Sequence, residues 1–182
     1  MRTKLLAFIS ALFLVSIVNS PAPAFLKIGD IKGEAVDPDH REEIDILSWS
    51  WGESRAGLSH AGSGAGAGKV SMNDFHFTLK VNKATPKLML ACATGQHIPE
   101  AILTCRRAGS GAGNEPFTYL EVKFEDLLVS SYQTGGSSGD VVPTDQISFN
   151  FTKITFKYTV EATGEVVEAE FIRPPEDPTG AN

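Results

Sequence analysis

Apolar and polar residues alternate in five runs of the chain. These are EIDILSWSWG (43–52), VSMNDFHFTLKV (70–81), FTYLEVKF (117–124), DQISFNFTKITFKYTV (145–160) and EVVEAEFI (165–172). All are rich in β-branched and aromatic residues, so each predicts a strand with one face buried. Turn residues separate them, and Thr163-Gly164 predicts a hairpin between the last two. The alternation also slips in phase. Ile147, Phe149 and Phe151 share one parity, whereas Ile154, Phe156, Tyr158 and Val160 share the other. Ile44 and Ile46 give way to Leu47, Trp49 and Trp51, and Met72 to Phe75, Phe77 and Leu79. Side chains two apart share a face, so a slip means a bulge or a change of buried face. Long bent strands suit a barrel or a sandwich with shared corner strands. Burial of an outer face in an oligomer leaves the same trace.

One helix interrupts the β pattern. In ATPKLMLACATG (84–95), Thr85 reads as the N-cap, Pro86 as the first helical residue and Gly95 as the stop. Leu88, Ala91 and Cys92 fall on one face, and a helix this short needs a sheet to dock on. Two glycine-rich segments stand apart. Glu53 to Lys69 (ESRAGLSHAGSGAGAGK) is too long for a tight turn, and RAGSGAGNEP (107–116) is shorter. The tail RPPEDPTGAN (173–182) is polar and proline-rich.

The first 24 residues have a different character. Arg2 and Lys4 precede an uncharged apolar run from Leu5 to Val18, and Ala22-Pro23-Ala24 ends it with small residues. That is the pattern of a secretory signal peptide, with cleavage between Ala24 and Phe25. The run is shorter than the ~20 residues of a membrane span, so stable membrane insertion is not expected. Residues 25–173 then form one domain, followed by a flexible tail at 174–182. The whole chain has 16 basic and 22 acidic residues. Removing Arg2 and Lys4 leaves 14 basic, so the processed chain carries 14 − 22 = −8. This balance excludes nucleic acid and anionic membrane surfaces as partners. Cys92 and Cys105 make neither a disulfide framework nor a CxxC metal pattern. They read as small buried thiols, with oxidation to a disulfide open to an exported chain.

Catalytic motifs fail on inspection. GGSSG (135–139) fits GxSxG, but a nucleophile elbow needs a helix after the serine, and Pro143 lies there. GSGAGAGK lacks the Walker glycine at position 63, which is Ser, and the hydroxyl at position 70, which is Val. His40, His60, His76 and His97 are scattered without metal-ligand spacing. The sequon at Asn150 lies inside a predicted strand.

Four blocks carry a family resemblance: AFLKIGDIKGEAVD (24–37), EEIDILSWSWG (42–52), KVNKATPKLMLACATGQHIPEAILTCRRAG (80–109) and DLLVSSYQTGGSSGDVVPTDQISFNFTKITFKY (126–158). They resemble the haemolysin-coregulated protein (Hcp) family, the tube protein of type VI secretion, from Phe25 to about Tyr158. The resemblance implies a mainly β fold: a compact barrel of two antiparallel sheets with one flanking α-helix. It implies a homo-hexameric ring whose copies stack into a tube, with sheath, spike and small effector proteins as partners. It implies no enzyme activity and no cofactor. Effector versions carry a further C-terminal domain, for which the chain past its last hairpin leaves no room.

In the family an extended loop after the second strand contacts neighbouring rings. Glu53 to Lys69 holds that place, either as a solvated flexible connector or as a stacking loop with Arg55, Leu58, His60 and Lys69 as its candidate residues. The leader is the departure, because type VI tubes assemble in the cytoplasm without one. Either export delivers this chain to the periplasm or outside as a ring or binding module, or translation starts near Phe25. No methionine lies between Met1 and Met72, which weighs against the second course.

Overall fold

A computed structural model describes residues 22–55, 70–109, 116–139 and 141–173. Among the described residues nine strands and one helix run in the order β1 (Ala24–Ile28), β2 (Ile44–Ser50), β3 (Glu53–Arg55), β4 (Val70–Met72), β5 (Phe75–Lys80), α1 (Thr85–Thr94), β6 (Ile98–Arg107), β7 (Phe117–Gly135), β8 (Thr144–Thr159) and β9 (Val166–Ile172). The main sheet is ordered β5-β2-β1-β6-β7-β8-β9, and β5 also pairs with β8. That pairing, from Phe75 opposite Phe149 to Lys80 opposite Thr144, closes six strands into a barrel. β9 lies outside the closure, paired with β8 alone, while β3 and β4 form a small separate ribbon.

The barrel interior is filled. Phe75, Phe77, Phe124, Phe149 and Phe151 are buried together. Phe75 meets Phe124 edge-on at 4.9 Å, and Phe77 meets Phe149 at 5.0 Å. Such tilted contacts avoid stacking two negative ring faces. A small barrel packed this way has a core, with no channel through it.

The phase slips have three structural causes. In β2 the pairing with β5 shifts between Ile46 and Ser48, so Leu47 is an extra, half-exposed residue. The slip in β8 belongs to a bend that crosses three strands. Pro99 in β6 falls between the pairs Ile98–Leu127 and Glu100–Glu125, facing Asp126 of β7. Asp126 in turn falls opposite Thr152 of β8. The buried residues change parity along this line: Ile98 to Ala101, Phe124 to Leu127, Phe151 to Ile154. Asp126 adopts φ 50, and proline has no N–H for a ladder. The Thr152 hydroxyl donates to the Asp126 carbonyl at 3.3 Å. Beyond the line β8 leaves β5 and takes β9 as its neighbour, beginning at Lys153. The run 70–81 is two strands broken at Asn73-Asp74, so Met72 and Phe75 belong to different elements.

Several expectations hold. The hairpin forms at Thr163-Gly164, with Gly164 at φ 70. Gly95 caps the helix at φ 63, and Leu88 and Ala91 are buried, with Cys92 packed half-buried against the core. Two corrections apply. Thr85 is not the N-cap: Ala84 takes that position, Thr85 is the first helical residue and Pro86 the second. Asn82 opens the helix instead, its side-chain oxygen accepting from the Ala84 N–H at 2.8 Å. The Thr85 hydroxyl is committed elsewhere, donating to Asp145 at 2.5 Å. The segment IPEAILTCRR was not among the predicted strands, yet it is β6, at the centre of the sheet.

Candidate assembly interface

A filled barrel leaves its surfaces to do the work, and three of them stand out. The first is β9. Among the described residues its outer edge has no partner strand, and Val166, Val167 and Ile172 are each at least half exposed. An unpaired apolar edge is a template for another chain. Only Phe171 turns in to pack against the core.

The second is the β3–β4 ribbon, where the long glycine-rich segment leaves the barrel. Trp51 roots it: the indole N–H donates to the Asn73 carbonyl at 3.0 Å, and the ring lies 5.5 Å from Phe156 and 6.3 Å from Phe75. Arg55 ends β3 opposite Val70. Leu58, His60 and Lys69 lie outside the described residues. Arg55 is thus the one candidate stacking residue with a described position, at the rim of a braced ribbon.

The third is a charge ladder across the outer face of four strands. Lys123 bridges Glu100 at 2.9 Å and Glu125 at 3.6 Å. Lys153 bridges Glu125 at 3.1 Å and Glu170 at 2.9 Å. Donating hydrogen bonds to Glu100 and to Glu170 raises the pKa values of Lys123 and Lys153 respectively, and accepting one from Lys153 lowers that of Glu125. Glu170 is exposed and the other four are only half-buried, so each pair adds little alone. Only the Lys153–Glu170 pair reaches β9, beside the backbone ladder that sets its register on β8. The sequence signal was a period-two alternation of sign, Lys123-Glu125 facing Lys153, legible only once the register is known.

The remaining candidates scatter. Ala24 and Phe25 are the first residues of β1. Ser137 lies between the end of β7 at Gly135 and the start of β8 at Thr144, where no helix follows. It lines a polar cleft of about 370 Å³ with Gln133, Thr134 and Gln146. His76 points outward from β5, His97 meets Asp126 at 3.2 Å, and His40 meets Glu43 at 2.9 Å. Cys92 and Cys105 are free thiols, and only Cys105 is buried. Burial raises the Cys105 pKa, with Trp49 and Tyr119 as its neighbours. Among the described residues no helix is long and apolar enough to cross a membrane.

The family model described as type VI secretion system effector, Hcp, matches residues 25–158. The chain belongs to the Hcp family. It is 48% identical over 134 residues to protein hcp1 of Pseudomonas aeruginosa, covering 74% of this chain and 81% of that one. Among solved structures it is similar to Hcp1 of Salmonella typhimurium, with 35% identity, a TM-score of 0.69 and coverage of 83% and 94%. A type VI secretion system effector from Yersinia pestis matches at 32% identity and a TM-score of 0.68, covering 82% of this chain and 98% of its own. Hcp homologues form the tube subunits of the type VI secretion system, and this chain is one of those homologues. The matched span holds the closed barrel except its end residues Ala24 and Thr159, while β9 lies beyond it.

Proposed function

We propose that this chain acts as a structural ring-forming subunit of a type VI secretion tube. Six copies close into a ring, and stacked rings carry or deliver small effectors within reach of sheath and spike proteins. It acts without a cofactor and catalyses nothing. The observation that carries this reading is the 48% identity to hcp1 across the barrel. The free β9 edge supports it, because a ring needs a heterologous contact between two different surfaces of one subunit. Native mass spectrometry of the processed chain is expected to show six copies. A monomer at micromolar concentration overturns the ring and leaves a solitary exported binding module.

Glu53 to Lys69 is the proposed stacking loop, with Arg55, Leu58, His60 and Lys69 as its contacts. Residues 1–24 are a proposed signal peptide, cut between Ala24 and Phe25, ahead of a domain at 25–173 and a tail at 174–182. The apolar run from Leu5 to Val18 favours a second reading, in which rings assemble in the periplasm or outside. N-terminal sequencing of protein from cell fractions decides it. A Phe25 start in the periplasm supports export by the leader, and an intact Met1 in the membrane fraction rejects it. A start near Phe25 confined to the cytoplasm means an ordinary tube subunit.

A further inference from the structure

We infer that folding of the barrel and removal of the leader exclude one another, because the Ala24–Phe25 bond becomes the first link of β1, a strand paired on both sides. The inference rests on the signal-peptide reading. β1 is not an edge strand: β2 lies on one side and β6 on the other. Ala24 stands opposite Ile46 and Cys105, and Phe25 opposite Asp45 and Thr104. One residue upstream, the Pro23 carbonyl accepts from the Arg106 N–H at 2.8 Å. Both edges of the chain around the scissile bond are therefore occupied.

Both faces are covered as well. Leu26 and Ile28 point into the core, and Ala24 packs against it. Phe25 points the other way yet is only 4% exposed. The His40 ring covers it, stacked at 4.4 Å and 9°. His40 is held by Glu43 at 2.9 Å. The turn that carries it is clamped by Arg106, whose buried guanidinium donates to Asp37 Oδ1 and Asp39 Oδ2 at 3.0 Å each, and to the Pro116 carbonyl at 3.2 Å. Arg106 thus closes the site twice, holding the strand by its backbone and the covering turn by its side chain.

A peptidase takes its substrate as an extended strand with free edges. Here that requires β1 to leave both neighbours, so cleavage of the native chain runs only through an opened form. At ordinary domain stability such forms are rare enough to slow cleavage on the order of 10³-fold or more. The nascent chain is different. β6 supplies one wall of the site and ends at Arg107, 107 − 25 = 82 residues after Phe25. At synthesis rates of about 5–20 residues per second, the bond stays uncovered for at least roughly 4–16 s, and longer while β7 to β9 are made. A chain handed to export in that time is cut. A chain that folds first keeps its leader, joined to an intact barrel.

The test uses the full-length chain and purified signal peptidase in mild detergent. In one arm the urea-unfolded precursor is diluted directly into the peptidase. In the other it is refolded first and the peptidase added afterwards, at the same final composition. Intact mass is expected to show a Phe25 start in the first arm and Met1 in the second. Equal cleavage in both arms overturns the inference and leaves the signal-peptide reading standing. No cleavage in either arm overturns that reading and the inference with it. Proteinase K on the folded precursor gives a readout free of the leader. A resistant core beginning at or before Ala24 is expected, and one beginning beyond Phe25 overturns the inference.

Discussion

Asp145 is wholly buried, and each of its oxygens has a hydroxyl partner. Thr85 donates to one at 2.5 Å and Tyr132 to the other at 3.1 Å. The carboxylate thereby ties the start of α1 to β7 and β8. Asp145→Ala leaves two hydroxyls without their acceptor and is expected to cost about 2–4 kcal/mol in urea unfolding. Asp145→Asn, which keeps one acceptor oxygen, is expected to cost less. None of this was legible in the sequence, because Thr85 lies 60 residues from Asp145. An isolated Thr-Pro pair before an apolar run reads as a cap, and only the tertiary partner redirects the hydroxyl. Asp45 offers a second test. Partial desolvation raises its pKa although the side chain reaches solvent, Lys80 opposes this and Asp37 adds to it. A raised carboxyl favours folding only while protonated, so charged Asp45 weakens the fold above its folded pKa. Asp45→Asn is expected to stabilise the protein at neutral pH, with the gain vanishing as pH falls through the carboxylate range. A gain that persists unchanged at pH 3 refutes the assignment.

Among the elements, those with clean alternation were legible and those with mixed composition were not. β5, β8 and β9 follow from their patterns. β6 escaped because Pro99 breaks its phase and because Thr104 and Arg106 are buried polar residues at positions that read as surface. β7 reads as FTYLEVKF but continues to Gly135, past the bend at Asp126. The phase slips themselves were visible, and their meaning needed the register. Pro99, Asp126 and Thr152 lie far apart in sequence and form one line only after pairing. Asp126 at φ 50 is the strained member of that line. Asp tolerates this conformation and a β-branched residue does not. Asp126→Val is expected to cost about 1–2 kcal/mol in thermal unfolding, and Asp126→Gly to cost little. Equal losses for both variants would place the strain elsewhere.

At the scale of the whole molecule, the barrel and its family were legible from the blocks between Ala24 and Tyr158, and the assembly surfaces were not. The β9 edge has no sequence mark of its own, since an edge strand and a central one share the same alternation. Shortening the segment between Arg55 and Val70 is expected to preserve rings and prevent tubes, because the β3–β4 ribbon that roots it is braced separately by Trp51. Tubes of unchanged length by electron microscopy after the deletion would make the segment a passive connector. The order of the sheet has a consequence for kinetics. β6, β7, β8 and β9 are neighbours both in sequence and in space, a meander joined by short-range pairings. β1 with β6 and β5 with β8 instead join residues 64 (144 − 80) to 81 (105 − 24) apart, and such loops are costly to close before other contacts exist. The meander is therefore the expected nucleus, with φ-values well above those of β1 and β2. Val122→Ala in β7 should slow refolding, whereas Leu26→Ala in β1 should chiefly speed unfolding. The half of the chain made last organises the half made first.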